Sequence, residues 1–216
     1  MPSAGGILSA SLTMKATRML RLFGDVKSGN CFKVQLLLRQ LGLQYEWVDV
    51  NIMNKESRTA EFLRMNPAGQ IPLLEVAPGL FLPESNAILH YLADGSTYLP
   101  ADRLQHAQVL QWMFFEQYLH EPSIASARFI VRYLGRPPEQ EQRLQQKIAD
   151  GYEALALMEQ HLGSRTFFVA ERYSIADVAL YAYTHVAHEG GFDLAPYGAV
   201  CAWLARVQAQ PGYVGM

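Results

Sequence analysis

Two prolines, Pro67 and Pro72, bracket a turn in the stretch Asn66-Pro67-Ala68-Gly69-Gln70-Ile71-Pro72-Leu73-Leu74. Pro67 pushes Asn66 out of the helical region, so a helix must end there. Pro72 does the same to Ile71, holding it extended, and has no N–H to donate to a sheet. Further on, Pro83-Glu84-Ser85-Asn86-Ala87-Ile88 places a carboxylate and a hydroxyl at the opening of an apolar helix. Upstream, Ser28 stands just ahead of another apolar helix, a position where serine is a preferred cap. The proline turn and the Glu84-Ser85 opening together describe a small-molecule site built partly of backbone.

The elements that must hold these residues follow from periodicity. Residues 19–23 alternate apolar and polar up to Gly24 and read as a strand. Val34, Leu37, Leu38 and Leu41 recur at helical spacing with Gly42 as the stop, and residues 45–50 form a second strand. Strand, helix and strand in so short a span make a βαβ unit with a parallel pair. A helix over 56–65, a strand over 71–76, a turn at Pro78-Gly79, a returning strand over 80–82 and a helix over 84–93 complete an order of βαβαββα. Turn formers at 95–100 mark a linker.

Beyond the linker every segment reads helical. Residues 101–134 make one or two long helices, with Pro122 forcing a kink or break. The next helix carries Leu144, Ile148, Tyr152, Leu155, Met158 and Leu162 at steps of three and four. Ser174-Ile175-Ala176-Asp177 is a variant capping box, and the nearly uncharged helix after it belongs in the middle of a bundle. A last helix runs over 199–208. Domains are therefore expected at 19–94 and 101–216, with residues 1–18 a disordered extension and Met14 or Met19 as alternative starts.

The totals exclude several classes of function. The chain has 216 residues, half of them apolar, with 18 basic against 20 acidic side chains and a formal charge of −2. Such a chain buries a substantial core and offers no electrostatic case for nucleic acid or an anionic membrane. No apolar run is long enough to span a bilayer. Residues 1–18 lack the pattern of a secretory signal. Cys31 and Cys201 are the only cysteines. That usage fits a reducing, cytoplasmic setting better than a disulfide. No His/Cys cluster has metal spacing, so no metal is expected.

Taken together, N-P-A-G-Q-I-P at 66–72, E-S-N-A-I at 84–88 and S-I-A-D at 174–177 resemble the cytosolic glutathione S-transferase family. The S-G-N-C-F-K-V stretch at 28–34 looks most like its bacterial serine-using (theta-like) members. The resemblance implies a thioredoxin-like α/β domain followed by an all-α helical bundle, a homodimer, and glutathione as co-substrate. Pro72 would be cis, turning the Ile71 backbone towards the cysteinyl unit of glutathione. Glu84 would meet the γ-glutamyl ammonium and Ser85 its α-carboxylate, at a helix N-terminus. Gln70 would add a contact, and Arg58 or Lys55 would approach the glycyl carboxylate. Ser28 would donate its hydroxyl to the thiolate near the positive end of the first helix, with Asn30 as the competing donor.

The function so implied is transfer of the glutathione thiol to a small hydrophobic electrophile. A glutathione-dependent peroxidase or thiol–disulfide reductase and a non-catalytic interaction module are the other readings. Cys31 stands where a redox Cys-x-x-Cys would carry its second cysteine, but Ser28 replaces the first, so Cys31 reads as a packing residue. His120 with Glu121, and His185 with His188, have no visible third metal ligand. The second substrate is expected between the domains, against the helix carrying Trp112, Phe114, Phe115 and Tyr118.

Overall fold

The computed structural model describes residues 19–216, so the extension expected over 1–18 lies outside the described residues. Four strands, β1 (Leu20–Gly24), β2 (Tyr45–Asp49), β3 (Leu73–Ala77) and β4 (Leu80–Pro83), form one sheet in the order β2-β1-β3-β4. β1 and β2 are parallel, joined through α1 (Gly29–Gln40), and the other two pairings are antiparallel. The chemistry of each connection fits: a parallel pair needs a long crossover, and an antiparallel pair needs only a turn.

Side-chain alternation along the strands builds three layers. On one face Leu22 and Leu74 pack with Val34 and Leu38 of α1 and with Ile88 of α3 (Ser85–Ala93). On the other, Phe23 and Leu73 pack with Val50 and with Phe62 of α2 (Ala60–Met65). The helix expected over 56–65 is two pieces, a 3-10 turn at Glu56–Arg58 and then α2. Thr59 separates them because it is extended and caps α2 through the Phe62 N–H. β3 starts at Leu73, two residues later than its expected start.

The helical part comprises α4 (Arg103–Phe115), α5 (Glu121–Arg128), α6 (Glu141–Leu162), α7 (Ile175–Thr184) and α8 (Gly198–Gln208). Between α4 and α5 the chain widens into a π turn at Glu116–His120, and Pro122 follows in the first turn of α5. A wider turn there accommodates a ring that would collide with an ordinary α-helical carbonyl. A second π turn, Phe129–Tyr133, follows α5. Every residue of α7 is buried, as its near lack of charge predicted, and the capping box of Ser174 and Asp177 is formed.

The sheet unit and the helices share one core. Phe32, Leu36 and Leu37, on the side of α1 facing away from the sheet, join α7, α4 and α6 in a single cluster. α1 is thus buried on both flanks, and whatever polar group it carries there must find a partner.

His120, on the π turn, is a second polar group in this interior. It is fully buried, with Nε2 2.8 Å from Thr184 Oγ1, and the Thr184 hydroxyl donates to Leu180 O at 2.7 Å. His120 must therefore donate through Nε2–H and be neutral, its Nδ1 having no partner among the described residues. Burial, helped by the Lys33 ammonium, pushes its pKa down to about 3. Since the unfolded value is higher, the stability it supports is present above about pH 6.5 and is lost as pH falls through the range below. We expect His120→Gln to flatten the acid side of the stability curve by up to about 1.4 kcal/mol per pH unit. Urea unfolding of both proteins at about pH 7 and about pH 5 measures this; identical pH dependence would remove His120 as the titrating group.

Candidate active site

The N-terminus of α1 is held from both sides. Ser28 is extended, and its Oγ accepts the Cys31 N–H at 3.4 Å, so it caps the helix as its position suggested. The Asn30 N–H is directed to Tyr183 Oη on α7 at 3.3 Å. Gly29 lies flat on that tyrosine: a Cβ there would fall 2.6 Å from the ring, so only glycine allows the approach. Further back, Lys27 O accepts from Arg128 Nη1 at 2.7 Å, and Arg128 Nε is 2.7 Å from Glu189 Oε2. As a cap, Ser28 uses a lone pair and keeps its hydroxyl proton for another acceptor. Capping and donation to a ligand are compatible.

Cys31 is buried at the other side of this cap. Its surroundings push its thiol up to about 12, chiefly through desolvation. A thiol in that state supplies almost no thiolate at neutral pH.

The proline turn is fixed by its own side chains. Asn66 is buried, accepting the Ala68 N–H at 3.2 Å and donating to Gln70 O at 2.8 Å. Gly69 has φ +61, and a Cβ there would meet Arg58 Nη1 at 2.6 Å, so both conformation and space select glycine. Arg58 in turn donates to Ala68 O at 2.9 Å. The Ile71–Pro72 peptide is cis. Beyond β4, Glu84 has φ 70 and ψ 111, a strained conformation for a residue with a Cβ. Strain of this kind concentrates at ligand-holding positions, and here it sets Glu84 exposed beside the buried Ser85 that opens α3.

Ser28, Asn30, Gln70, Ile71, Pro72, Glu84 and Ser85 all line one cleft of about 690 Å³, with Lys55 and Arg58 also in its wall and Gln117, Glu121 and Phe129 from the helical part. The residues singled out around Ser28, the proline turn and Glu84-Ser85 all line this one cleft. Glu121 was not expected there. It accepts from Asn30 Nδ2 at 3.2 Å, and burial raises its carboxyl pKa although Lys33 acts the other way. Lys33, Glu116 and Arg128 were also missed. A signal for two of them was present: Lys33 is the one charge in the largely apolar stretch 31–38, and Glu116 follows Trp112-Met113-Phe114-Phe115.

The aromatic helix face does not form the cleft. Trp112 and Phe115 pack on the main core, while Phe114 and Tyr118 are exposed and absent from the cleft lining. The wide turn after α4 changes which residues face inward, and helical spacing from Trp112 does not carry across it. A second hollow of about 490 Å³ adjoins the cleft through Met53 and is lined by Asp25, Lys27, Asn51, Arg132 and Tyr133 among others. Among the described residues no group of three or more His, Cys, Asp or Glu could hold a metal ion, and no helix is long and apolar enough to cross a membrane.

Comparison with known proteins gives this geometry a family. Residues 19–94 match the glutathione S-transferase N-terminal domain, and residues 123–211 match the C-terminal domain. The crystal structure of a glutathione S-transferase from Pseudomonas fluorescens superposes with a TM-score of 0.90 at 52% identity, over 91% of this chain and 98% of that one. A glutathione transferase from Pseudomonas putida, solved with one glutathione disulfide per subunit, gives a TM-score of 0.79 at 27% identity over 93% and 91%. Elongation factor 1-gamma-B of Xenopus laevis is 35% identical over 162 residues, 73% of this chain and 36% of that protein. The chain thus spans about a third of that relative's length. Both domain types in order, on a fold shared almost end to end with a bacterial protein at half identity, leave one conclusion: the chain belongs to the glutathione S-transferase family.

Proposed function

We propose that this chain binds glutathione in the cleft and transfers its thiol to a small electrophile. The observation that carries this reading is the convergence of Ser28, Ile71, Glu84 and Ser85 on one cleft, together with the glutathione disulfide held by the Pseudomonas putida relative. The Ile71 backbone pairs with the cysteinyl unit by strand addition. Glu84 takes the γ-glutamyl ammonium and Ser85 the α-carboxylate. Gln70 and either Arg58 or Lys55 meet the rest of the tripeptide. Ser28 donates to the sulfur and favours the thiolate once the thiol proton has passed to solvent; the thiolate attacks an electrophile carried in the adjoining hollow, forming the C–S bond as the halide or other leaving group departs. Lys27, Asn51, Arg132 and Tyr133 line that hollow, so an electrophile bearing polar groups suits it better than the hydrophobic one expected from sequence.

A homodimer in the cytoplasm completes the reading. Tyr91 on α3, Phe114 near the end of α4 and Tyr118 on the π turn after it are 52%, 68% and 82% exposed, large side chains that a second copy would cover. Retention on immobilised glutathione, turnover of an aryl halide, and sedimentation of the same preparation test the three parts. Absence of glutathione retention would sink the proposal at its first step, and a monomer would remove the dimer.

The elongation-factor relative supports a second reading, an interaction module on the same fold. Glutathione retention without turnover of any electrophile or peroxide would favour it. A reductase working through Cys31 is disfavoured by the burial and raised pKa of that thiol.

A further inference from the structure

A charged pair lies fully buried between the sheet unit and the helices, directly behind the cleft. Lys33 on α1 and Glu116 on the π turn are each 0% exposed, with Nζ 2.8 Å from Oε1. Replacing such a pair by apolar groups is often neutral or stabilising, so stability alone explains it poorly. Its other contacts are more informative. Lys33 Nζ is also 3.3 Å from Ser85 Oγ. An ammonium can only donate, so Ser85 accepts on its buried side and its single proton is left for the cleft side. There it meets Asn30 Oδ1 at 3.2 Å. Glu116 is held in turn, its Oε2 accepting from Asn86 Nδ2 at 3.0 Å.

We infer that Lys33 is a positioning residue for the α-carboxylate of the γ-glutamyl unit, acting through Ser85. It locks the Ser85 hydroxyl as a donor into the cleft and sets a positive charge one hydrogen bond behind the place where the carboxylate docks. An arriving carboxylate competes with Asn30 Oδ1 for the Ser85 proton and wins because it is charged. Lys33 also offsets the field of Glu84 and Glu121, two carboxyl groups that line the same cleft. The inference rests on the glutathione reading and adds to it a residue that touches no part of the ligand.

The test separates this role from mere support of the domain contact. Lys33→Met combined with Glu116→Gln removes both charges and leaves neither stranded, and Lys33→Gln with Glu116→Gln is the fallback if thermal melting shows the first pair unfolded. Calorimetric titration uses glutathione and its analogue lacking the α-carboxylate, γ-aminobutyryl-cysteinylglycine. Loss of one charge-assisted contact predicts a glutathione dissociation constant about tenfold higher in the neutral pair than in wild type. The analogue should bind both proteins within about twofold. In a Ser85→Ala background the effect of neutralising the pair should shrink to about twofold or less. Equal weakening of both ligands, unchanged glutathione affinity, or a full effect without Ser85 would each overturn the inference. Wild type failing to bind glutathione at all would instead bring down the function reading on which it stands, and that result appears before any variant is made.

Discussion

Ser28→Ala is expected to lower kcat/KM for glutathione with an aryl halide about 100-fold while changing glutathione affinity less than about threefold. The free cysteinyl thiol ionises near pH 8.5, so only a few per cent is thiolate at neutrality. A hydroxyl aimed at the sulfur at the positive end of α1 favours the ionised form. A lowering of about two pH units corresponds to about 2.7 kcal/mol of preference for the thiolate, which is the effect being asked of one hydrogen bond and a helix end. The thiolate absorbance of the bound tripeptide should accordingly titrate about two units higher in the variant. Ser28→Ala also removes the cap on the Cys31 N–H, at about 1 kcal/mol of stability. Ser28→Gly, which weakens the cap by only a few tenths of a kcal/mol but has no hydroxyl, should be as inactive as alanine, and that comparison separates donation from capping. Undiminished turnover in Ser28→Ala would pass the role to Asn30. Asn30 Nδ2 gives one proton to Glu121 and keeps a second, so this variant decides between the two donors.

Residues whose own backbone or capping chemistry dictates their place were legible in the sequence. Pro67 and Pro72 bracket the turn wherever they occur, Ser174 with Asp177 announces a helix start, and Glu84-Ser85 opens α3. What the sequence could not supply was the second neighbour of each element. Apolar spacing on α1 gives Val34, Leu37 and Leu38 as one inward stripe, yet Val34 and Leu38 face the sheet while Leu37 faces the helices. A helix buried on two sides has no single polar face, so Lys33 could not be distinguished from a solvated lysine without the Glu116 that meets it. The π turns are a related case. They add a residue to the turn and rotate the next stretch of helix, so that Gln117 and Glu121 reach the cleft while Tyr118 stays exposed outside it. Local chemistry thus gave the turn, the caps and the backbone that lines the cleft. The charged floor beneath them depends on contacts between segments 83 residues apart.

Asp177→Ala is expected to cost about 3–5 kcal/mol of stability, the largest single loss among these substitutions. The carboxylate is fully buried and accepts from four donors: the Phe168 N–H, the Trp203 Nε1–H, and the N–H and hydroxyl of Ser174. Alanine leaves all of them without an acceptor in a place water does not reach, and an unsatisfied buried donor costs about 1–3 kcal/mol. Against a total stability of about 5–15 kcal/mol, that is enough to unfold a large share of the molecules under mild heating. A fall in melting temperature of about 10 °C or more is expected for a chain of this size. Asp177→Asn should lie close to alanine, because its NH2 end would face donors instead of accepting from them. Desolvation raises the Asp177 pKa to about 6 in spite of these four hydrogen bonds. Because the folded value exceeds the unfolded one, the group favours folding most below about pH 4 and loses part of that contribution as pH rises through about 6. That trend opposes the one from His120, and Asp177→Asn should remove it, steepening the acid-side loss that remains. Since Asp177 is absent from the cleft lining, activity per folded molecule should be unchanged. A variant that melts normally, or one that stays folded but loses turnover, would contradict the role of Asp177 as the acceptor that secures α7, the helix on which α1 and its capped N-terminus rest.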